Sequence, residues 1–203
     1  MSAVFSTAYF PPIAYVAALS RHTDVVIEAK ETFPKQTFRN RMQIMTAGGI
    51  RNLSVPVIRN NHSCTDEVKI DYTERWPTIH IRTLTAAYAA SPFFLFYRNE
   101  IEDIIFKRNN FLIDLNLDIL QWLQKKLKLD FSCSLTTDWT HYSTKDQEDY
   151  RNIFSPKVPY PTDGMTKYYQ VFSDRQPFSP NLSILDLLFN LGPEAKDYVK
   201  SFT

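Results

Sequence analysis

The stretch AVFSTAYFPPIAYVAALSRHTDVVIE, residues 3–28, decides the fold. Residues 3–9 are predicted to form a strand that the following prolines end, because proline cannot donate a hydrogen bond to a neighbouring strand. The apolar run 13–20 predicts a short buried helix directly after the prolines. Asp24–Glu28 is an apolar run bounded by polar residues, which is typical of a buried strand. This order predicts two parallel strands joined by a right-handed crossover.

The rest of the chain predicts more strands and a helical middle part. Residues 137–166 are polar and rich in Asp and Pro, which predicts a long loop. We expect all of 1–203 to form a single α/β domain with a mainly parallel sheet flanked by helices. The further predicted strands are 37–45, 51–58, 68–72, 129–136 and 168–172, and the further predicted helices are 76–90, 93–107, 110–127 and 183–190.

The composition narrows the classes of function. Hydrophobic residues make up 44% of the 203 residues and charged residues 22%, which is ordinary for a globular protein. The 23 Lys+Arg nearly cancel the 22 Asp+Glu, so nucleic acid is not an expected partner. None of the four glycines lies in a dinucleotide-binding or Walker motif, and the sequence identifies no cofactor.

The sequence contains no pattern that predicts a metal site, a disulfide framework or a membrane span. Cys64 and Cys133 are too few for a disulfide framework or a Cys-rich zinc site, and we expect both as reduced thiols. The four histidines lie far apart in sequence, and no metal site is predicted. The first ten residues lack the regions of a signal peptide, and no apolar run reaches the ~18 residues of a membrane span. We therefore expect a cytoplasmic protein.

The densest polar segment is Lys35-Gln36-Thr37-Phe38-Arg39-Asn40-Arg41. If it is extended, Lys35, Arg39 and Arg41 share one face, with neighbouring positions about 7 Å apart. Such a row suits a carboxylate, phosphate or diphosphate, because arginine offers a planar, bidentate fork. Gln36 and Asn40 complete the candidate substrate-binding residues of this segment. The alternative is a solvated strand face that pairs with nearby acids.

His80 lies on the apolar stripe of a predicted helix. Trp76, His80 and Leu84 fall within about 80° of one another on an ideal helix. A histidine held there can act as a general acid or base near neutral pH. The alternative, which spacing alone favours, is a core histidine satisfied by a hydrogen bond. Arg82 points to the opposite side of this helix.

Aromatic and acidic residues near predicted strand ends complete the candidates. Tyr9 and Tyr15 flank the turn after the first strand, where open α/β sheets place ligands, and their rings can stack on a sugar or a base. Ordinary core packing is the alternative for both. Glu28 ends the second strand and Asp71 lies near the end of a later one, so both are candidate catalytic acids. Each is alternatively a carboxylate that anchors a loop.

A series of short runs follows in order along the chain: YFPPI (9–13) with Tyr15, DVVIE (24–28), KQTFRNR (35–41), LSVPV (53–57), KIDY (69–72), Trp76 with His80, Ala87-Tyr88, SPFF (91–94) and FSPNLSILDLL (178–188). Taken together, these runs resemble the bacterial WbqC-like family over most of the chain except 137–166. Many members have Gln-Pro where this chain has Thr7-Ala8, which bears on substrate choice. Many also have His-Trp where this chain has His80-Ile81, so a stacking role does not carry over there.

The resemblance implies a role in surface-polysaccharide synthesis, as an acyl- or aminoacyl-transferase that acts on an amino sugar. On this hypothesis the 35–41 row holds an anionic part of a small-molecule or sugar-linked substrate. His80 is the general base, oriented by an acid such as Asp71, and Tyr9 and Tyr15 line the sugar or nucleotide. The alternatives are a non-catalytic module that binds a nucleotide or RNA through 35–41, and a scaffold subunit of an envelope enzyme complex.

Overall fold

The computed structural model describes residues 2–60, 62–139, 147–158 and 160–202. Two short 3-10 turns lie at Thr65–Glu67 and Gly192–Glu194. In chain order the strands and helices are β1 (Ser2–Ser6), α1 (Ile13–Leu19), β2 (Asp24–Glu28), β3 (Arg41–Thr46), β4 (Gly49–Ser54), β5 (Val57–Ile58), β6 (Lys69–Ile70), α2 (Trp76–Tyr88), α3 (Phe94–Phe106), α4 (Leu112–Leu127), β7 (Ser132–Leu135), β8 (Gln147–Asp149), α5 (Ile184–Leu191) and α6 (Ala195–Ser201).

The central sheet is parallel, in the order β7-β2-β1-β8. The chain places β2 and β7 on one side of β1 and returns to place β8 on the other side. Ala3, Val4 and Phe5 of β1 have no exposed surface, because β1 lies inside the sheet and both of its faces are covered. The predicted α/β fold with a mainly parallel sheet is confirmed. Ligands of such sheets bind beyond the carboxyl ends of the strands, where the winding direction reverses.

The prediction of a continuous loop over 137–166 is wrong in part, because the segment contains β8. The three residues of β8 are polar and lie at the sheet edge, so they show none of the apolar alternation that reveals a strand. Tyr150, just after β8, donates its N–H to the Val4 carbonyl at 2.8 Å and stacks its ring on Phe5 at 4.6 Å between centroids. Residues 140–146 of this loop prediction, including His141, lie outside the described residues.

The predicted strand 37–45 also begins later than expected, at Arg41. Residues 35–40 form bends and turns, and Gln36 has a positive φ of 59°, which extended backbone does not allow. The turn between β3 and β4 closes at the pair Thr46–Gly49, where Gly49 has a φ of 102°. Beyond β4, the predicted strand 51–58 is interrupted at Pro56, which cannot donate to a ladder.

The helices agree with the sequence pattern better than the strands do. Each predicted helix is present, with its ends within about two residues of the predicted ends. The predicted strand 168–172 is wrong, because its backbone pairs with no strand among the described residues and turns at Phe172, whose carbonyl accepts from the Arg175 and Gln176 N–H groups. Tyr168 and Gln170 instead donate from their side chains to the buried Asp186 carboxylate, at 2.5 and 2.9 Å. Within the described part of the chain, no helix is long and apolar enough to cross a membrane.

Candidate functional site

A group of polar side chains, all buried except Asp149, lies beyond the carboxyl ends of the parallel strands. We call it the edge cluster. It combines the last residues of three neighbouring strands with residues from the segments that follow the sheet strands. Its members are Ser6 at the end of β1, Glu28 at the end of β2, Glu31 and Arg39 from the segment after β2, Thr136 just after β7, and Asp149 and Arg151 at and after the end of β8.

Arg39 and Glu31 form a buried, bidentate ion pair at the centre of the edge cluster. Arg39 Nε lies 2.7 Å from Glu31 Oε1, and Nη2 lies 2.6 Å from Oε2. Only 5% of the Arg39 side chain and 7% of the Glu31 side chain are exposed. Arg39 Nη2 also donates to Ser6 Oγ at 2.5 Å, and Ser6 Oγ donates to the Arg151 carbonyl at 2.7 Å. Arg39 is therefore neutralised within the protein, as a buried charge requires.

The second ion pair joins Arg151 to two carboxylates. Arg151 Nη2 lies 2.6 Å from Asp149 Oδ2, and Nη1 lies 3.2 Å from Glu28 Oε2. Glu28 is fully buried, and its Oε1 accepts from Thr136 Oγ1 at 2.7 Å and from the Lys30 N–H at 2.8 Å. The hydrogen bonds from Arg151 hold the pKa of the Asp149 carboxyl below its usual value. The named members of the edge cluster thus carry one more carboxylate than guanidinium groups.

An aromatic cleft with a volume of about 360 Å³ adjoins the edge cluster. Phe38 and Phe154 line both this cleft and a space of about 10 Å³ beside Ser6 and Arg39. Ring faces and amides lie together in the cleft, which is the composition of a small-molecule site. The cleft is lined by Phe38, Gln43, Ile50, Phe154, Ser155, Pro156, Val158, Tyr160, Thr162, Ser179, Pro180, Asn181 and Leu182.

His80 belongs to a different group, the histidine cluster, which consists of Tyr9, Ser54, Trp76 and His80. The Tyr9 hydroxyl lies 2.9 Å from His80 Nδ1, and His80 Nε2 lies 3.2 Å from the Ser54 carbonyl. The ring therefore carries its proton on Nε2, donates it to Ser54 and accepts from Tyr9. Burial lowers the pKa of His80 to about 4, so the ring is neutral at pH 7.

Asp71 does not orient His80 in this structure. Both ring nitrogens of His80 already have partners, and each nitrogen has one in-plane position for a hydrogen bond. The Asp71 carboxylate instead accepts from the Thr73 N–H at 2.8 Å, and this bond lowers the pKa of Asp71. The predicted catalytic roles of His80 and Asp71 stay predictions, but not as a hydrogen-bonded pair.

The two tyrosines predicted to line the substrate lie in different parts of the structure. Tyr9 lies in the histidine cluster, whereas Tyr15 donates its hydroxyl to the Ser6 carbonyl at 2.7 Å, next to the edge cluster. Burial raises the pKa of Tyr15. Of the predicted site residues, the structure therefore brings Tyr15, Glu28 and Arg39 together around Ser6.

The predicted row of cations on one strand face does not form, because residues 35–40 are not extended. Lys35 and Gln36 point into solvent, whereas Arg39 points into the edge cluster. Asn40 donates from Nδ2 to the Val55 carbonyl at 2.9 Å. Arg41 differs from these residues, since its Nε is buried without a hydrogen-bond partner among the described residues.

Sequence reasoning missed Ser6, Glu31, Thr136, Asp149 and Arg151. Thr136 could have been found by asking which polar residues end the predicted strands, because parallel strands end at one edge of a sheet. Ser6 could not, because the predicted strand runs to residue 9 whereas β1 ends at Ser6. Asp149 and Arg151 depend on β8, which has no apolar pattern to reveal it. No pattern in the sequence indicates Glu31, whose role follows from its ion pair with Arg39.

Comparisons with known proteins find one family model and a relative that cover nearly the whole chain. A protein of Mycobacterium tuberculosis (strain ATCC 25618 / H37Rv), named "Uncharacterized protein Rv1507c", is 25% identical over 229 residues, which cover 98% of this chain and 96% of that protein. No solved structure matches the chain. The model of the WbqC-like protein family matches residues 7–155 and 156–198, which include the edge cluster apart from Ser6 and the whole aromatic cleft. The chain belongs to the WbqC-like protein family.

Proposed function

We propose that the protein is a transferase that moves an acyl or aminoacyl group onto an amino sugar in the synthesis of a bacterial surface polysaccharide. The observation that carries the proposal is the aromatic cleft beside the edge cluster, at the carboxyl edge of the parallel sheet. This is where open α/β sheets bind small molecules. A volume of about 360 Å³ is enough for a sugar ring and a short acyl group.

The cleft offers the groups that a sugar needs. The rings of Phe154 and Tyr160 lie 5.0 Å apart between centroids and present apolar surface for the C–H face of a sugar. The amides of Gln43 and Asn181 supply donors and acceptors for hydroxyl groups. Asn181 Oδ1 accepts from the Ala14 N–H at 2.9 Å, which fixes this amide relative to α1.

The surplus carboxylate of the edge cluster favours an amine. Asp149 has the most exposed carboxylate of the cluster, with 40% of its side chain accessible, and it shares the single guanidinium of Arg151 with Glu28, so one positive charge faces two carboxylates. It therefore attracts the ammonium of an amino sugar or of an aminoacyl group. Arg39 is already paired, so this part of the site does not need an anionic ligand.

Arg41 keeps its predicted role toward the anionic part of a substrate. It lies two positions before Gln43 on β3, so both share one face of the strand. The proposal does not rest on proton transfer by His80, because its ring nitrogens are occupied and its side chain is buried.

The test measures binding of glucosamine, with glucose as the neutral probe, by calorimetry on the full chain. We expect glucosamine to bind more tightly than glucose, and Asp149→Asn to weaken glucosamine binding about tenfold, the loss of one charged hydrogen bond. Gln43→Ala should weaken both sugars. Asp103→Asn removes an exposed carboxylate of α3 and is the matched control.

Mass spectrometry of glucosamine incubated with acyl-CoA and aminoacyl donors then tests transfer itself. An acylated product that Gln43→Ala diminishes supports the proposal. Equal binding of both sugars, or no product with any donor, contradicts it.

A further inference from the structure

We infer a second binding site, for the phosphate or diphosphate group of a small molecule, in the cleft between the β3–β4 hairpin and α2. This cleft has a volume of about 450 Å³ and shares no lining residue with the aromatic cleft. It therefore does not depend on the proposed transfer reaction. Two arginines, Arg51 of β4 and Arg82 of α2, line it together.

The two guanidinium groups of this cleft have no partner within the described residues. Neither Arg51 nor Arg82 makes an ion pair or a side-chain hydrogen bond there, whereas Arg39 and Arg151 are held by carboxylates. Two like charges that line one depression raise the positive potential inside it. A phosphate group with two negative charges can accept hydrogen bonds from both unpaired guanidinium groups.

The hairpin register shows how Arg51 reaches the cleft. In the hairpin register Arg51 lies opposite Ile44, and alternation places it on the same face as Leu53. Ile44 is fully buried and Leu53 is 3% exposed, so this face is turned toward the core. Arg51 lies two positions from Gly49, near the turn of the hairpin, where the cleft opens, and its side chain is exposed, as is that of Arg82.

The rest of the cleft suits a phosphorylated small molecule. The hydroxyls of Thr46 and Thr83 already donate to the Gly49 and Ile79 carbonyls, both at 2.8 Å, so the two arginines are left to recognise the anionic group. Ala87 and Phe172 supply apolar surface for the part of the ligand that carries the phosphate. This site is separate from the row predicted at 35–41, where Arg39 is paired with Glu31.

The test measures inorganic pyrophosphate binding to the full chain by calorimetry at low ionic strength, with UDP as the second probe. We expect pyrophosphate to bind, and Arg51→Gln and Arg82→Gln each to weaken binding about tenfold or more, because each removes a charge-assisted contact. Arg98→Gln on α3 removes the same charge outside the cleft and should change the affinity less than twofold.

Tighter binding of UDP than of pyrophosphate, lost in Phe172→Ala, identifies an organic phosphate as the ligand. Equal affinity for both probes identifies the phosphate group alone as what is recognised, and still supports the site. Absence of pyrophosphate binding by the unmodified protein overturns the inference. An equal loss in Arg98→Gln also overturns it, because the effect then belongs to overall charge.

Discussion

The edge cluster and the histidine cluster are both polar and largely buried, but the first contains charged groups and the second contains neutral ones. The edge cluster keeps full charges inside the protein and compensates them with ion pairs, as between Arg39 and Glu31. The histidine cluster keeps His80 neutral and satisfies it with one hydroxyl and one carbonyl. A charge that loses its partner costs far more free energy than a neutral group that loses a hydrogen bond. A substitution in the edge cluster should therefore lower the free energy of unfolding more than one that removes a hydrogen bond from the histidine cluster.

The largest effect is expected from Arg39→Ala. This change leaves Glu31 buried without its guanidinium partner, which should lower the free energy of unfolding by about 3–5 kcal/mol. Urea unfolding followed by circular dichroism measures it. The double variant Arg39→Met with Glu31→Leu removes both charges and should recover most of the loss. If Arg39→Ala costs less than about 1 kcal/mol, the pair is solvated and the contrast between the two clusters disappears.

The second effect is a pH dependence that belongs to the histidine cluster. The pKa of His80 is about 4 in the folded protein and near the ordinary 6.5 when unfolded, so the unfolded chain binds more protons between these values. The contribution of a neutral His80 is complete above pH ~6.5 and is lost as the pH falls toward 4, by about 3 kcal/mol.

Urea unfolding at several pH values, on the protein and on His80→Gln, isolates this contribution. The difference in stability between the two proteins should shrink as the pH falls from 7 to 4, because glutamine does not titrate. A difference that stays constant over this range would show that His80 keeps an ordinary pKa and that the ring is accessible to water.

These contrasts also show how far the sequence leads. The unit 3–28 predicted the parallel β1–β2 pair, because apolar runs and prolines act locally. The partnership of Arg39 with Glu31 was not predictable, because the chain between β2 and β3 turns where a strand was expected. The burial of His80 followed from helical spacing, whereas its partners Tyr9 and Ser54 come from distant segments. The local sequence pattern thus predicted the helices and the first strands. Which polar residues are paired depends on contacts between distant segments, which the pattern does not show.

The third effect compares the same change in both clusters. Tyr9→Phe removes the hydroxyl that donates to His80, and Tyr15→Phe removes the hydroxyl that donates to the Ser6 carbonyl. Each loses one neutral hydrogen bond, so each should lower the free energy of unfolding by about 1 kcal/mol. Chemical denaturation of the two variants side by side measures this. A loss from Tyr15→Phe several times that from Tyr9→Phe would mean that the Tyr15 hydroxyl supports the ion pairs and not only a carbonyl.

The smallest effect is expected where the same arginine–glutamate chemistry lies at the surface. Arg98 and Glu102 are four residues apart on α3, with their Nε and Oε1 atoms at 2.7 Å, but 39% and 28% of their side chains are exposed. Arg98→Gln should lower the free energy of unfolding by only about 0.3–0.5 kcal/mol. Urea unfolding at low and at molar salt measures it, and the loss should vanish at high salt because solvent ions screen the pair.

The Arg98 variant also tests whether burial is the cause of the different stabilities of the two arginine–glutamate pairs. Arg98–Glu102 and Arg39–Glu31 contain the same groups at nearly the same distance, but Arg39–Glu31 is buried and bidentate. If salt leaves the cost of Arg39→Ala unchanged while it abolishes the cost of Arg98→Gln, desolvation sets the strength of the edge cluster. If salt weakens both equally, the edge cluster is open to solvent ions, and Arg39 becomes available to a substrate anion as the sequence predicted.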